Sequence, residues 1–290
     1  MKLNSHEFRS NTLPAAITVI PAVAWLAFFV AIPLVYVLVM SFCSLDEYYN
    51  VAFQFTLGNY ADLLDPNYVQ IYAQSIVIAA LSTAICLALG YPFAYLISRT
   101  FREHKVILYM LVIIPFWTNS LIRIYGWRTF LGASGFLNAA LVGLHLVDSP
   151  VDFLFNQAAT VLGMTYDLFP FMVLPLYTAI EKLDEAQIEA SHDLGAHGLS
   201  TLFRVVVPQT VSGIFSGCIM VFIPSLGAFY ISDILGGGNS DVIGNLIQRQ
   251  FQSGNNWPLG AALSIILIAI TLILVKIYQS TGGDMESLGV

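Results

Sequence analysis

Apolar residues run along this chain in long stretches separated by short polar ones. Six stretches stand out: roughly Ile17 to Ser41, Val69 to Ser98, Val106 to Ile122, Phe155 to Ile180, Val211 to Ser232 and Leu259 to Tyr278. Each is close to or above the ~18–20 residues that a helix needs to cross a hydrocarbon layer of ~30 Å. Only helices and closed barrels satisfy their backbone hydrogen bonds in hydrocarbon, and these runs lack the in–out alternation of a barrel strand. The pattern predicts an all-α integral membrane protein of about six transmembrane helices, with one transmembrane domain over residues 1–290.

Composition agrees with the pattern. The chain is 57% hydrophobic and 10% charged, where soluble domains are roughly 45–50% apolar and 25% charged. A net charge of −7 on 290 residues does not by itself imply a partner, and no nucleic-acid partner is expected. Cys43, Cys86 and Cys218 are odd in number and lack any C-x-x-C, so neither a disulfide framework nor a metal site is indicated. Lys2 and Arg9 precede the first apolar run as they would in a signal peptide. That run is too long for one and Cys43 has a poor cleavage context, so it reads as an uncleaved helix.

The positions of the cations orient the chain, because Lys and Arg are retained on the cytoplasmic side. Lys2, Arg9, Arg99, Arg102, Lys105, Lys182, Arg204 and Lys276 fall on one side, and Arg123, Arg128 and Arg249 on the other. Eight against three predicts both termini in the cytoplasm. The loop from Cys43 to Tyr68, which has acidic residues but no Lys or Arg, is then outside. Phe136 to Val147 is a short amphipathic stretch expected to lie along the outer interface, and Trp117, Tyr125 and Trp127 fit an outer aromatic belt. Pro21, Pro33, Pro92, Pro115, Pro170, Pro175 and Pro224 fall inside spans, where each tends to kink its helix. Gly213 and Gly217 form a G-x-x-x-G pair that favours close helix contact.

The cytoplasmic segment Glu181 to Pro208 is patterned as a built element. Asp184 is a good N-cap, Gln187 completes a capping-box spacing, and Gly195 stands where a left-handed residue ends a helix. The predicted helix is Glu185 to Leu194, with Leu183, Ala186, Ala190 and Leu194 on one stripe and Glu185, Glu189, His192 and Asp193 mostly turned away. Ser200 can cap a second helix whose apolar continuation re-enters the membrane after Pro208.

At this loop the chain resembles the permease subunits of type I ABC importers, whose signature is E-A-A, three residues, G, nine residues, I-x-L-P. Glu189, Ala190, Ser191, Gly195, Val205, Val207 and Pro208 stand at those spacings, with Ser191 for the second alanine and two valines for Ile and Leu. The resemblance implies that the helix docks on a separate ATPase subunit. Glu189 and Asp193 would serve polar docking, Ala190 and Ser191 close packing, and Gly195 the turn. No G-x-x-x-x-G-K-[ST] occurs, so ATP and its Mg belong to that partner and no cofactor is expected on this chain. The implied assembly is a homologous second permease, two ATPase subunits and a periplasmic substrate-binding protein, set in the lipid of a bacterial inner membrane.

PFWTNSLIRIYG (Pro115 to Gly126), DLGA, FYISDILGG, IGNLIQRQF and NWPLGAA are similar to the spermidine/putrescine importer permeases, specifically the first of their two permease chains. The implied function is passage of polyamines by alternating access. The alternatives are an ABC importer of another small cation or metal complex, or a secondary transporter, which would normally show inverted repeats that this sequence lacks. An intramembrane enzyme would need a convergent nucleophile, base or metal set, and none is visible.

The candidate pathway residues are Trp117, Asn119, Tyr166, Asp167, Phe229, Tyr230 and Asp233. Asp167 lies mid-span, where an acid costs roughly 2.5–3.5 kcal/mol and faces a cavity or a partner, or caps a segment broken near Pro170. Asp233 with Tyr230 and Phe229 one turn inside reads as an acidic–aromatic constellation at the outer end of the path, or as an interfacial anchor with a helix-end acid. His192 and His197 do not share a helical face, so zinc is not expected. Gly236 to Gly238 lack the lysine of a phosphate loop and read as a flexible outer turn. The cation asymmetry yields a first test. A reporter fused after Lys276 is expected to be active in the cytoplasm, and activity confined to the periplasm would reverse the orientation or make the number of spans odd.

Overall fold

A computed structural model describes residues 19–280, apart from the side chains of Arg102 and Glu103. Ile17 at the predicted start of the first span, Lys2, Arg9 and both termini lie outside the described residues. The chain parts into two compact units, one running to Leu64 and including Gln250–Ile266, the other comprising Asp65–Arg249 and the residues from Leu267 on.

In the first unit, α1 (Val19–Met40) is long and apolar enough to span, and its side chains are almost wholly exposed along its length. After it comes a two-stranded hairpin, Ser44–Leu45 paired antiparallel with Val51–Ala52. Asp46 closes the turn by accepting from the backbone N–H groups of Asn50 and Tyr48. The Asn50 N–H in particular holds the carboxyl below its usual range. The short α2 (Gly58–Asp62) is anchored by Asn59, whose amide donates to the carbonyls of Ser41 and Cys43 at 3.0 and 2.8 Å.

The second unit is built on α3 (Pro66–Arg99), α7 (Gln157–Glu181) and α10 (Val211–Gly227), which pack on one another. Local chemistry sets their starts. Asp65 caps α3 ahead of Pro66, whose missing N–H is not needed in a first turn, and Asn156 caps α7. Cys86, Tyr91, Ala94, Met172, Val173, Leu176 and Val221 form the buried seam between them. The G-x-x-x-G pair is part of this contact: a Cβ at Gly213 would collide with that of Ala179 and lie 2.9 Å from the Pro175 carbonyl, and one at Gly217 would lie 2.7 Å from Met172 Sδ.

Around this core run α4 (Arg102–Ile113) with a 3-10 turn Ile114–Trp117, α5 (Ser120–Leu131), α6 (Phe136–Gly143), α8 (Glu185–Asp193), α9 (Gly198–Gln209) and α11 (Phe229–Ile231, extended by a π turn Ser232–Gly236). The last elements are α12 (Ile243–Gln252) and α13 (Trp257–Ser280). Four described helices, α1, α3, α7 and α13, are continuous candidate spans, and two bent pairs raise the number to six.

Those bends correct two expected spans. The third does not run from Val106 to Ile122: it ends at Trp117, and α5 leaves at 94°. Asn119 is the cause, because its side chain accepts from Leu121 N–H at 2.8 Å and so starts a new helix inside an apolar run. The fifth does not reach Ser232 as one helix. Its regular part stops at Gly227, and Ala228 leaves the helical conformation before α11. α9 in turn meets α10 at 73°. Gly236 is not in a flexible turn either: it is buried, and a Cβ there would collide with the Ser240 hydroxyl.

Because Gly213 abuts backbone as well as side chain, Gly213→Leu overpacks the α7–α10 contact. The expected loss is about 1–3 kcal/mol, read as a lower unfolding temperature and less folded protein in the membrane. Gly126→Ala, at a site with no atom within 4 Å of the added Cβ, is the control expected to fold normally.

Candidate functional site

The loop between α7 and α9 is held at both ends. On the α7 side Lys105 Nζ meets Glu181 Oε1 at 3.0 Å, and Arg99 reaches Glu185 at 3.4 Å. Asp184 caps α8 through Ala186 N–H, but the reciprocal bond from Gln187 expected of a capping box is absent among the described residues. Leu194 lies just past the last α8 residue, and Gly195 follows with φ of +83°, the left-handed turn expected there.

The buried face of α8 differs from the expected stripe. Ile188 and Ser191 are its buried residues, and Ser191 Oγ donates to the Ile188 carbonyl and lies 2.9 Å from Thr201 Oγ1. Ser191 therefore locks α8 to α9 and does not face outward for close packing on a partner. Glu189, Ala190, Asp193 and Gly195 are exposed, and Leu194 is 89% exposed, joined by Leu199 and Phe203 of α9. α9 begins at Gly198 behind His197, so Ser200 is not its cap.

Inside the helical core the structure brings two of the candidate pathway residues, Asp167 and Tyr230, together with Ser120 and Arg123, which the pattern of residues did not announce. Asp167, 4% exposed, accepts from Arg123 Nη2 at 2.6 Å, from Ser120 Oγ at 2.6 Å and from the Tyr230 hydroxyl at 2.8 Å. The Arg123 side chain is 8% exposed, with Nη1 on the Pro115 carbonyl at 3.0 Å and its guanidinium 5.3 Å from the Phe116 ring centre and 5.9 Å from that of Tyr166. Its Nε has no partner among the described residues. Arg123 is thus not a loop cation, which leaves two of the three cations expected outside. Ser120 and Arg123 were missed because Arg123 falls one residue past the expected end of the third span. Its apolar neighbours Ile122 and Ile124 were the available signal.

Three irregular helix segments bring the cluster together. Ser120 and Arg123 stand in the first turn of α5 after the Asn119 break, Tyr230 in α11 after the Ala228 break, and Asp167 three residues before Pro170. Arg123, Trp127, Thr165 and Tyr166 edge a cavity of about 810 Å³ whose remaining wall is apolar, including Leu81, Leu89, Phe93 and Leu111.

The other expected pathway residues divide. Tyr166 faces Arg123 and stacks edge-on with Trp127. Trp117 is 81% exposed, and Asn119 is exposed and engaged as a cap. Tyr230 and Asp233 do not act on one point: Tyr230 turns to Asp167, whereas Asp233 is exposed and accepts from Asn245 Nδ2 at 2.6 Å. The same amide donates to the Phe229 carbonyl at 3.1 Å, so Asn245 braces the break ahead of α11.

Comparison with known proteins places this architecture. Residues 75–280 match the family described as binding-protein-dependent transport system inner membrane component. The chain is 42% identical over 278 residues to the spermidine/putrescine transport system permease protein PotB of Haemophilus influenzae, covering 96% of this chain and 95% of the relative. It is 43% identical over 260 residues to the PotB of Escherichia coli, covering 90% and 94%. In fold it is similar to a chain of a bacterial alginate ABC transporter solved in complex with an alginate-bound periplasmic protein, with a TM-score of 0.76, 18% identity and 94% of each chain covered. The chain therefore belongs to the binding-protein-dependent transport system inner membrane components, in the branch of the spermidine/putrescine permease proteins.

Proposed function

We propose that this chain is the membrane-spanning subunit of an ATP-driven importer that carries polyamines into the cytoplasm by alternating access. The observation that carries the reading is the α8 loop. It is a short helix capped by Asp184, ended by left-handed Gly195, clamped by Lys105–Glu181 and Ser191–Thr201, and bare on its outer face. A segment this constrained can transmit force to a partner, which a slack loop cannot. Glu189 and Asp193 supply exposed carboxylates, and Ala190 and Leu194 an apolar contact, for an ATPase subunit that binds ATP and Mg. Two such ATPases, a homologous second permease and a periplasmic binding protein complete the assembly, with both termini of this chain in the cytoplasm.

The substrate follows from the relatives and from chemistry. A polyamine is a chain of ammonium groups joined by methylenes, and it calls for carboxylates spaced among aromatic and aliphatic faces. Asp167 with Tyr230, Tyr166 and the adjoining apolar cavity supports that demand, with exposed Trp117, Asn119 and Asp233 and half-buried Phe229 as further contacts along the path.

In a strain lacking its own polyamine importers, the full complex is expected to restore uptake of labelled spermidine or putrescine. Each polyamine should compete with the other, and an amino acid should not. Competition by the amino acid instead would overturn the substrate assignment.

Coupling has its own test. Gly195 has open space around its missing Cβ, so the obstacle to a larger residue is its positive φ, which costs about 1–2 kcal/mol. Gly195→Val is expected to abolish substrate-stimulated ATP hydrolysis in the assembled complex, and Gly195→Asn, which tolerates the left-handed region, to retain most of it. Wild-type transport by Gly195→Val at equal expression would remove the coupling role of the loop.

A further inference from the structure

The surroundings of Asp167 are those of an organic-cation site: a carboxylate held by the Ser120 and Tyr230 hydroxyls, together with the faces of Phe116 and Tyr166, converges on one positive group. In the structure that group is the chain's own Arg123. We propose that Arg123 is a tethered competitor for the substrate, holding at Asp167 the place that an ammonium group of the polyamine takes during passage. The inference rests on the polyamine reading above and deepens it, since it names the residue that must yield for the cation to pass.

Three observations favour a replaceable cation over a purely structural pair. Arg123 leaves its buried Nε without a partner among the described residues, so its fit to the site is incomplete. Ser120 and Arg123 sit just after one helix break and Tyr230 just after another, so the groups that hold Asp167 can shift without unwinding a regular helix. The guanidinium also borders the 810 Å³ cavity, whose apolar wall suits a run of methylenes attached to an ammonium at Asp167.

Exchange proceeds without covalent chemistry. An incoming ammonium takes the Asp167 Oδ1 contact, the Ser120 and Tyr230 hydroxyls keep their bonds to the carboxylate, and Arg123 is released from Asp167 while the net charge of the site is preserved. When the polyamine leaves, Arg123 returns. Asp167 is never left bare, and a bound cation is not trapped by an unopposed carboxylate.

The test is spermidine uptake by the complete complex carrying Arg123→Gln, Arg123→Lys, Asp167→Asn or the double Arg123→Gln/Asp167→Asn, with assembly checked by co-purification of the partner subunits. A competitor that occupies the carboxylate about four-fifths of the time raises the apparent constant about fivefold, and a more persistent one raises it further. Arg123→Gln is therefore expected to lower KM about fivefold or more and to lower kcat, because release slows. Arg123→Lys keeps a tethered cation and should stay near wild type, and Asp167→Asn should raise KM. The neutral double decides between site and strut, and it does so even if Arg123→Gln alone fails to assemble. A structural pair replaced by two neutral groups regains wild-type kinetics, whereas a lost cation site leaves an assembled complex with raised KM. A double variant with wild-type KM, or an assembled Arg123→Gln complex with unchanged KM, would overturn the exchange while wild-type uptake left the polyamine reading standing. Failure of the wild-type complex to import any polyamine would overturn both.

Discussion

A carboxylate and a guanidinium 2.6 Å apart inside an apolar helical core constrain everything packed around them. Either charge alone would be expensive: removing one partner of a buried pair costs about 3–5 kcal/mol, because the other is left uncompensated. The pair persists because hydrogen bonds meet most of its remaining demands: Asp167 takes Ser120 and Tyr230 as well, and Arg123 takes the Pro115 carbonyl, with only its Nε unmet among the described residues. These partners come from α5, α11 and the turn after α4, so satisfying one acid fixes how three irregular segments approach α7. A continuous third span would carry Arg123 on past the membrane interface. The break at Asn119 turns it back toward Asp167.

The breaks themselves have local causes that a hydropathy pattern does not weigh. Asn119 is one polar residue in an apolar run, and its effect comes from a cap that satisfies a backbone N–H, not from its hydropathy. Ala228 has no sequence signature at all. Its departure from the helix is held from outside by Asn245, which donates to the Phe229 carbonyl and to Asp233 across more than ten residues of chain. Long apolar runs such as those of α3 and α7 were legible to within a few residues because length and composition decide them. The two bent spans were not, because capping and tertiary bracing decide them. The same limit hid the site: Asp167 was readable as an acid in need of a partner, but its partner had been counted as a cation of the outer loop.

The cytoplasmic loop was legible in the opposite way, because its determinants are local. Asp184 at the N-cap and Gly195 at +83° are read from one turn of sequence each, and α8 ended within a residue of its expected limit. Its facing was less legible. The apolar stripe proposed from helical spacing included Leu194, which is 89% exposed, whereas Ser191, a polar residue, is buried through bonds to Ile188 and Thr201. Burial here follows the docking of α9, and a hydroxyl with two partners can sit inside where its hydropathy argues against it.

One helix joins the two regions. Asp167 and Glu181 are both on α7, fourteen residues and about 21 Å apart at the helical rise of about 1.5 Å per residue. Pro170 and Pro175 lie between them, each removing a hydrogen bond of the ladder and giving α7 a place to bend. At its far end Glu181 is clamped to Lys105, and three residues later Asp184 begins α8. Asp167 and the residue clamped at the foot of α8 thus lie on one helix, on either side of its proline-containing stretch. The Gly213 and Gly217 contacts keep α10 against the proline-containing stretch of α7, so a bend there must move α10 as well. Under the coupling role proposed for α8, this chain of contacts is the route by which a charge in the core and a partner at the membrane surface would act on one another.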